Sequence, residues 1–468
     1  MPMINVINPA TESIVGSYEI MDKIQVENVI EEMNNSQKNW ENVSINQRRI
    51  LMLNVADILE KRCKEFAEII TDEMGKPITQ AIAEVNKCAV LCRHYAEKSK
   101  GYLAPQLIET ESSKSYRYFR PSGIIFAIMP WNFPFWQVIR FVVPNLMGGN
   151  AVILKHAPNS TGSALALEKI FIEAGFPENL FRALIIGIDL VETVINHTAI
   201  KGVTLTGSER AGRSVAAIAG KALKKVALEL GGSDPYLILH DADINLAAEE
   251  CVQSRLLNAG QVCISAKRLI VVPEIYDEFI ASIKNKMNAY RCGDPKLSTT
   301  NLGPLARDDL RKELDEHVQK SIEKGAHCEM GGKIKTGTGY YYEPTLLLNV
   351  SKGMPAYNQE LFGPVVSIIK AKDEADAIEI ANATRFGLGA AVFTKDIKRG
   401  EEIARNKIIS GLCSVNKMVI SDPRIPFGGT KASGFGRECS REGIHEFMNI
   451  KSVIVEDREA KKESDVKD

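Results

Sequence analysis

Gly123-Ile124-Ile125-Phe126-Ala127-Ile128 carries no charge, hydroxyl or amide side chain, and its reading decides the fold. A strand with one wet face alternates apolar with polar residues; an unbroken run like this marks a strand covered on both faces. Four more such runs follow, at Ala151–Leu154, Phe181–Ile186, Gly202–Leu205 and Val226–Leu230. The segments between them, around 135–147, 161–174, 189–196 and 208–220, have helical apolar spacing. Strand alternating with helix builds a parallel sheet with right-handed crossovers. Ligands of such sheets bind beyond the carboxyl ends of the strands.

Working outward, a second α/β series begins at Pro235. It comprises strand Tyr236–Leu239, helix 243–257, strand Leu269–Val272 and helix 276–289. It resumes with strand Val365–Lys370, helix 373–383, strand Ala390–Thr394, helix 396–406 and strand Gly411–Val415. Between the two blocks, residues 293–345 are rich in Gly, Pro and Thr around a polar helix near 306–324. Toward the N-terminus, Asn8-Pro9-Ala10-Thr11 is a turn. The stretch from Asp22 to Ser99 is helical, interrupted at Gly75-Lys76-Pro77. Residues 110–120 lack a clean core face and are expected to form an exposed strand pair or arm. Lys451–Glu456 alternates like a short strand, and the charged end of the chain is expected to be disordered.

A chain of 468 residues exceeds one ordinary core, so two large domains are expected. A formal net charge of −1 gives no electrostatic reason to expect nucleic acid or an anionic membrane as partner. Nine cysteines without regular spacing argue for a reducing, cytoplasmic setting rather than a disulfide framework. No metal is expected; Cys88 and Cys92, four apart on one helix face, are read as packing residues, as are Cys413 and Cys439.

The chemistry gathers on a few stretches. In Asn258-Ala259-Gly260-Gln261-Val262-Cys263-Ile264-Ser265 a cysteine sits among small, flexible residues between a helix and an apolar run, where substrate can reach it. A thiol does nucleophilic work only as thiolate. Pro130-Trp131-Asn132-Phe133-Pro134 ends a buried strand, and its two prolines fix one amide as a donor for a developing oxyanion. Glu229, inside Leu228-Glu229-Leu230-Gly231-Gly232, is a carboxylate placed where desolvation raises its pKa toward a general base's range. Thr206-Gly207-Ser208, with Gly212 beyond it, opens a helix whose N-terminus favours phosphate. Lys155 stands at a strand's carboxyl edge, and Glu360-Leu361-Phe362-Gly363-Pro364 precedes another buried strand.

Taken in order, PWNFP at 130–134, LTGS at 205–208, LELGG at 228–232, GQVCIS at 260–265, ELFGPV at 360–365 and PFGGTKASGFGRE at 426–438 resemble the NAD(P)-dependent aldehyde dehydrogenase superfamily over essentially the whole chain. PWNFPFWQVIR and LKHAPNS look most like its short succinate-semialdehyde dehydrogenase branch. The resemblance implies two doubly wound α/β domains, cofactor-binding (1–109 and 123–231) and catalytic (232–449). Residues 110–122 and 450–468 would form an arm and tail that assemble a homodimer or homotetramer. It implies Cys263 as nucleophile, Asn132 with the Cys263 backbone N–H as oxyanion hole, and Glu229 as the base for thioester hydrolysis. Trp131, Lys155, Gly187, Gly207, Ser208, Gly212, Leu230, Glu360 and Phe362 would hold the cofactor, and Trp136, Arg140, Arg255 and Phe427 the aldehyde. Pro158 stands where strictly NAD-using relatives have a ribose-binding Glu, so NADP is expected to be accepted or preferred, alongside NAD. Leu257 replaces an arginine of some succinate-semialdehyde enzymes, which leaves Arg140 for carboxylate recognition. Succinate semialdehyde is the leading substrate. Lactaldehyde or glyceraldehyde is the alternative, a non-catalytic binding protein on this fold a distant one, and a thiol hydrolase the least favoured.

Overall fold

The structure, a computed structural model, describes residues 2–457. The charged end of the chain, from residue 458, lies outside the described residues.

The Ile124–Met129 strand lies inside a six-stranded sheet, flanked by Ile200–Thr206 on one side and Ala151–His156 on the other. Lys225–Glu229 and Phe181–Ala183 extend it, all in parallel. Every residue of Ala151–His156 is buried, as the absence of alternation predicts. One edge holds a surprise. Gly434–Phe435, two residues of the segment assigned by sequence to the second unit, pair antiparallel with Glu229 and Leu228. Gly434 has φ +108°, and a Cβ there would stand 2.1 Å from the Leu228 carbonyl oxygen, so only glycine permits the approach.

The second series forms a seven-stranded sheet. Its order is His327–Met330, Thr345–Leu348, Val365–Lys370, Ala266–Val271, Asp234–Ile238, Ala391–Phe393, Ser414–Val415, parallel except for the first pair. His327–Met330 and Thr345–Leu348 lie in the Gly- and Pro-rich stretch, where only a helix was read; that helix runs Asp308–Glu323.

The N-terminal helical region is four helices, Lys23–Trp40, Ile45–Lys61, Cys63–Met74 and Ile78–Tyr102. Reciprocal caps start the first two, Asp22 with Gln25 and Ser44 with Gln47. Ahead of them Met3–Ile7 and Ile14–Glu19 form a hairpin closed through Asn8, whose Oδ1 accepts from the Ala10 amide at 2.9 Å. A third sheet joins Met448–Val455, Lys114–Pro121 and Gln106–Ile108. It leaves Leu107 76% exposed on one face and Ile454 70% exposed on the other. Among the described residues no helix is long and apolar enough to cross a membrane.

Candidate active site

The strands Ile124–Met129, Ile200–Thr206 and Lys225–Glu229 deliver Asn132, Ser208 and Glu229 from their carboxyl ends, as a parallel sheet leads one to expect. The second sheet contributes differently: Cys263 and Phe362 lie on segments leading into the strands Ala266–Val271 and Val365–Lys370. The two sets meet across a cleft of about 920 Å³ including its open mouth. Trp131, Asn132, Gly207, Ser208, Glu229, Leu230, Cys263, Glu360 and Phe362 all line it. A second cavity of about 560 Å³ is lined by Trp136, Arg140, Leu257, Ser421 and Phe427. Cys263 and Gln137 line both spaces, so the thiol stands where they meet.

The loop that carries the thiol is held in an uncommon backbone shape. Asn258, Ala259 and Gly260 have φ of +52°, +52° and +75°. Left-handed geometry costs a non-glycine residue roughly 1 kcal/mol or more, so something must hold it. Gln80 Oε1 accepts from the Asn258 amide at 2.8 Å, and Asn258 Nδ2 donates to the Asn132 carbonyl at 2.8 Å. Gly260 packs against the Gly363–Pro364 backbone so closely that a Cβ would stand 2.1 Å from the Gly363 oxygen.

Arg255 is the third restraint, and here the substrate role expected of it is corrected. Its guanidinium is fully buried and donates to the carbonyls of Val365 (2.6 Å), Gly260 (3.1 Å) and Leu361 (2.5 Å) and to Ser265 Oγ (2.7 Å). It lines neither space. Its neighbours Ser254 and Leu257 do line the smaller cavity; one helical residue is a rotation of about 100°, enough to turn Arg255 inward. The arginine stitches the cysteine loop to the segment carrying Phe362.

The electrostatics of the thiol follow from burial. Desolvation pushes Cys263 up to about 11, against the pull first of Lys267 and then of Arg140. Lys267 Nζ donates to the Val262 carbonyl at 2.9 Å, to the Cys263 carbonyl, and pairs with Glu360 at 3.2 Å. Glu360 also accepts from the Gly232 amide at 3.1 Å. Phe362 meets Trp131 edge to face at 5.8 Å. The Cys263 amide makes no hydrogen bond within the described chain. Asn132 Nδ2 gives one hydrogen to the Gln261 carbonyl at 3.0 Å, leaving the other available.

Glu229 is buried and its Oε2 has no partner. Desolvation raises its pKa well above the carboxylate range, helped by the charge of Glu438 and opposed by Arg140. Glu438 is buried too and pairs with Arg140, whose guanidinium lies 4.3 Å over the Phe427 ring. Burial raises Glu438 as well. Two buried carboxyls and one guanidinium therefore influence one another, Glu229 on the cleft wall and Arg140 on that of the smaller cavity.

Three of the residues expected to hold the cofactor do not line the cleft. Lys155, one residue short of its strand's end and beside Ile128, is buried, and its ammonium has no hydrogen-bond or ion-pair partner among the described residues. Gly212 packs under Leu230, where a Cβ would stand 2.7 Å from that side chain, and Gly187 sits in its own loop against Asp189. Two helix N-termini that follow strands of this sheet differ in what caps them. That of Thr161–Glu173 is closed by Glu73, which accepts from the Gly162 and Ser163 amides at 2.6 and 2.9 Å. That of Glu209–Lys221 is capped by Ser208 alone, which accepts from the Ala211 amide at 3.3 Å, and opens on the cleft.

Sequence reading missed the clamp behind Asn132. Lys76 and Glu84 form a fully buried pair. Lys76 Nζ donates to the Asn132 carbonyl at 2.9 Å and lies 3.7 Å over the Phe133 ring, while Glu84 accepts from the Phe135 and Trp136 amides at 2.9 and 3.0 Å. Gly75-Lys76-Pro77 read only as a helix break. Lys267 was missed likewise, although two adjacent cations, Lys267 and Arg268, entering an apolar strand were a visible sign of costly burial.

The chain matches the aldehyde dehydrogenase family over residues 2–453. It is 45% identical over 449 residues, 96% of its length and 99% of the relative's, to a Synechocystis sp. protein named probable succinate-semialdehyde dehydrogenase (NADP(+)). It is 42% identical over 447 residues, 96% of each chain, to the Escherichia coli (strain K12) protein named succinate semialdehyde dehydrogenase (NAD(P)+) Sad. Its backbone matches the crystal structure of succinic semialdehyde dehydrogenase from Streptococcus pyogenes in complex with NADP+ at a TM-score of 0.95, with 36% identity, covering 97% of this chain and 100% of that one. Agreement of this extent, in sequence and backbone alike, places the chain in the aldehyde dehydrogenase family.

Proposed function

We propose that this NAD(P)-dependent enzyme oxidises succinate semialdehyde to succinate, with NADP as its preferred oxidant and NAD accepted. The carrying observation is the position of Cys263 where a large cleft meets a smaller cavity, with Asn132 and Glu229 on the cleft wall. The names of the relatives support the substrate and cofactor.

The residues present fit a dinucleotide. Lys155 offers an ammonium without an internal partner, Ser208 opens a helix N-terminus for the pyrophosphate, and Phe362 and Trp131 give apolar walls for a flat ring. When bound, the nicotinamide supplies the acceptor for the hydride. Cys263 Sγ, once deprotonated, adds to the aldehyde carbon. The spare Nδ2 hydrogen of Asn132 and the unpaired Cys263 amide stabilise the resulting oxyanion. Loss of hydride from that carbon leaves a thioester on Cys263. Glu229, ionised, takes a proton from water as it attacks the acyl carbon, and the thiolate leaves with succinate released. Aldehyde, oxidised cofactor and water thus give acid, reduced cofactor and protons.

The test is an aldehyde panel with each cofactor, read at the nicotinamide absorbance. Succinate semialdehyde should give the highest kcat/KM; a higher value for lactaldehyde, glyceraldehyde or an uncharged aldehyde would sink the assignment. Cofactor choice has its own test. Pro158 opens a short turn three residues after Lys155, so no carboxylate meets a 2′-phosphate there. Pro158→Glu should cut kcat/KM for NADP at least about tenfold through like-charge repulsion while NAD use persists. An unchanged NADP-to-NAD ratio would refute this placement. The exposed third sheet supports assembly as a homodimer or homotetramer, and free cysteines throughout suit a cytoplasmic setting.

A further inference from the structure

The smaller cavity beyond Cys263 contains two cationic side chains, and their surroundings differ. Arg140 is committed in part: Glu438 accepts from its Nε and Phe427 covers its face, while its buried Nη2 has no partner. Lys87 reaches the same cavity from the helix Ile78–Tyr102. Its Nζ lies 4.1 Å over the Trp136 ring, and no carboxylate, carbonyl or hydroxyl among the described residues accepts from it. The acids around it are engaged elsewhere: Glu84, on its own helix, by Lys76 and the Phe135 and Trp136 amides, and Asp422 by Arg424 at 2.6 Å. Two cations thus line the cavity and no carboxylate does; of the acids behind its wall, Glu438 is paired with Arg140. Much of the remaining wall is apolar, including Phe133, Leu257, Val262 and Ile264. A cavity with a thiol at its inner end and one uncompensated positive charge suits a short aldehyde that brings a negative charge of its own.

We propose that Lys87 is a specificity-determining residue, the counter-charge for the substrate's distal carboxylate, which it shares with the free Nη2 of Arg140. The proposal rests on the succinate semialdehyde reading given above and assigns the residue that enforces it. Two further features support it. The Trp136 face holds the ammonium without neutralising it, an interaction of about 0.5–2 kcal/mol. Burial, followed by the charge of Arg140, lowers Lys87 to about 8; a carboxylate beside it raises that value again and favours the charged form. Leu257, also on the wall, contributes no charge.

The test compares succinate semialdehyde with butanal, which has the same four-carbon chain and no carboxylate. The ratio of their kcat/KM values is measured for the wild-type enzyme and for Lys87→Met, Lys87→Gln and Lys87→Arg, each checked for folding by its melting temperature. The ratio should fall about 10- to 100-fold in Lys87→Met and Lys87→Gln, through a raised KM for succinate semialdehyde, and recover to within severalfold in Lys87→Arg. Two neutral replacements guard against one that misfolds. A wild-type enzyme indifferent to the carboxylate would overturn the substrate reading together with this proposal. A strong wild-type preference that survives in both neutral variants would overturn the role of Lys87 alone.

Discussion

Cys263→Ser abolishes acid formation, with kcat/KM down on the order of 10⁴-fold or more, a loss comparable to removing the nucleophile of other covalent enzymes. The size follows from the site. A serine hydroxyl is far harder to ionise than a thiol, and the charges that favour ionisation at this position, those of Lys267 and Arg140, offer no acceptor for its proton. The fold should be indifferent to the change, because Arg255, Gln80 and Asn258, and not the sulfur, hold the loop. Reduced cofactor formed per subunit is the measurement, with the melting temperature as control. A serine variant that keeps a tenth of wild-type turnover would remove the cysteine from the mechanism.

Glu229→Gln separates the two halves of the reaction. Acylation should still deliver one reduced cofactor per subunit in a burst, after which turnover falls by about 10²- to 10⁴-fold, the usual contribution of a positioned base. Stopped-flow absorbance reads the burst, and intact-protein mass spectrometry finds the acyl group on Cys263. Without a burst, or with unimpaired steady turnover, the base lies elsewhere. A pH dependence accompanies this. The working form of Glu229 is ionised, and its raised pKa means activity is lost as pH falls through that value. Glu438 helps to raise it. In Glu438→Gln that repulsion is gone while Arg140 remains, so the acid limb of the hydrolysis profile should move to lower pH.

How much of this was legible depended on what kind of signal each part leaves. Strands such as Ile124–Met129 announce themselves because both faces are buried and no polar residue is tolerated. The hairpin Met3–Ile7 with Ile14–Glu19 left almost no pattern, since Val6 is its only buried residue. Helix starts at Asp22 and Ser44 could have been found from the glutamine three residues after each, the sequence form of a capping box. The glycine-framed cysteine and the Pro-framed asparagine showed in sequence as chemistry-bearing groups on short, rigid motifs. The partners that hold them did not. Lys76 and Glu84 lie 56 and 48 residues from Asn132 and join it only through the fold. Arg255 misled for the opposite reason: it is near the thiol along the chain, and a single helical residue's rotation takes it to the other side of the loop.

The two-residue crossover at Gly434–Phe435 has a consequence for the molecule's divisibility. Residues 1–231 make a sheet whose outermost ladder position is filled only when the chain has nearly finished. A fragment ending there would expose the edge of Lys225–Glu229, with unpaired amides and carbonyls ready to recruit another copy. Late residues thus complete an early module. The first half expressed alone is therefore expected to associate through that edge, which stays open until Gly434 and Phe435 have been made.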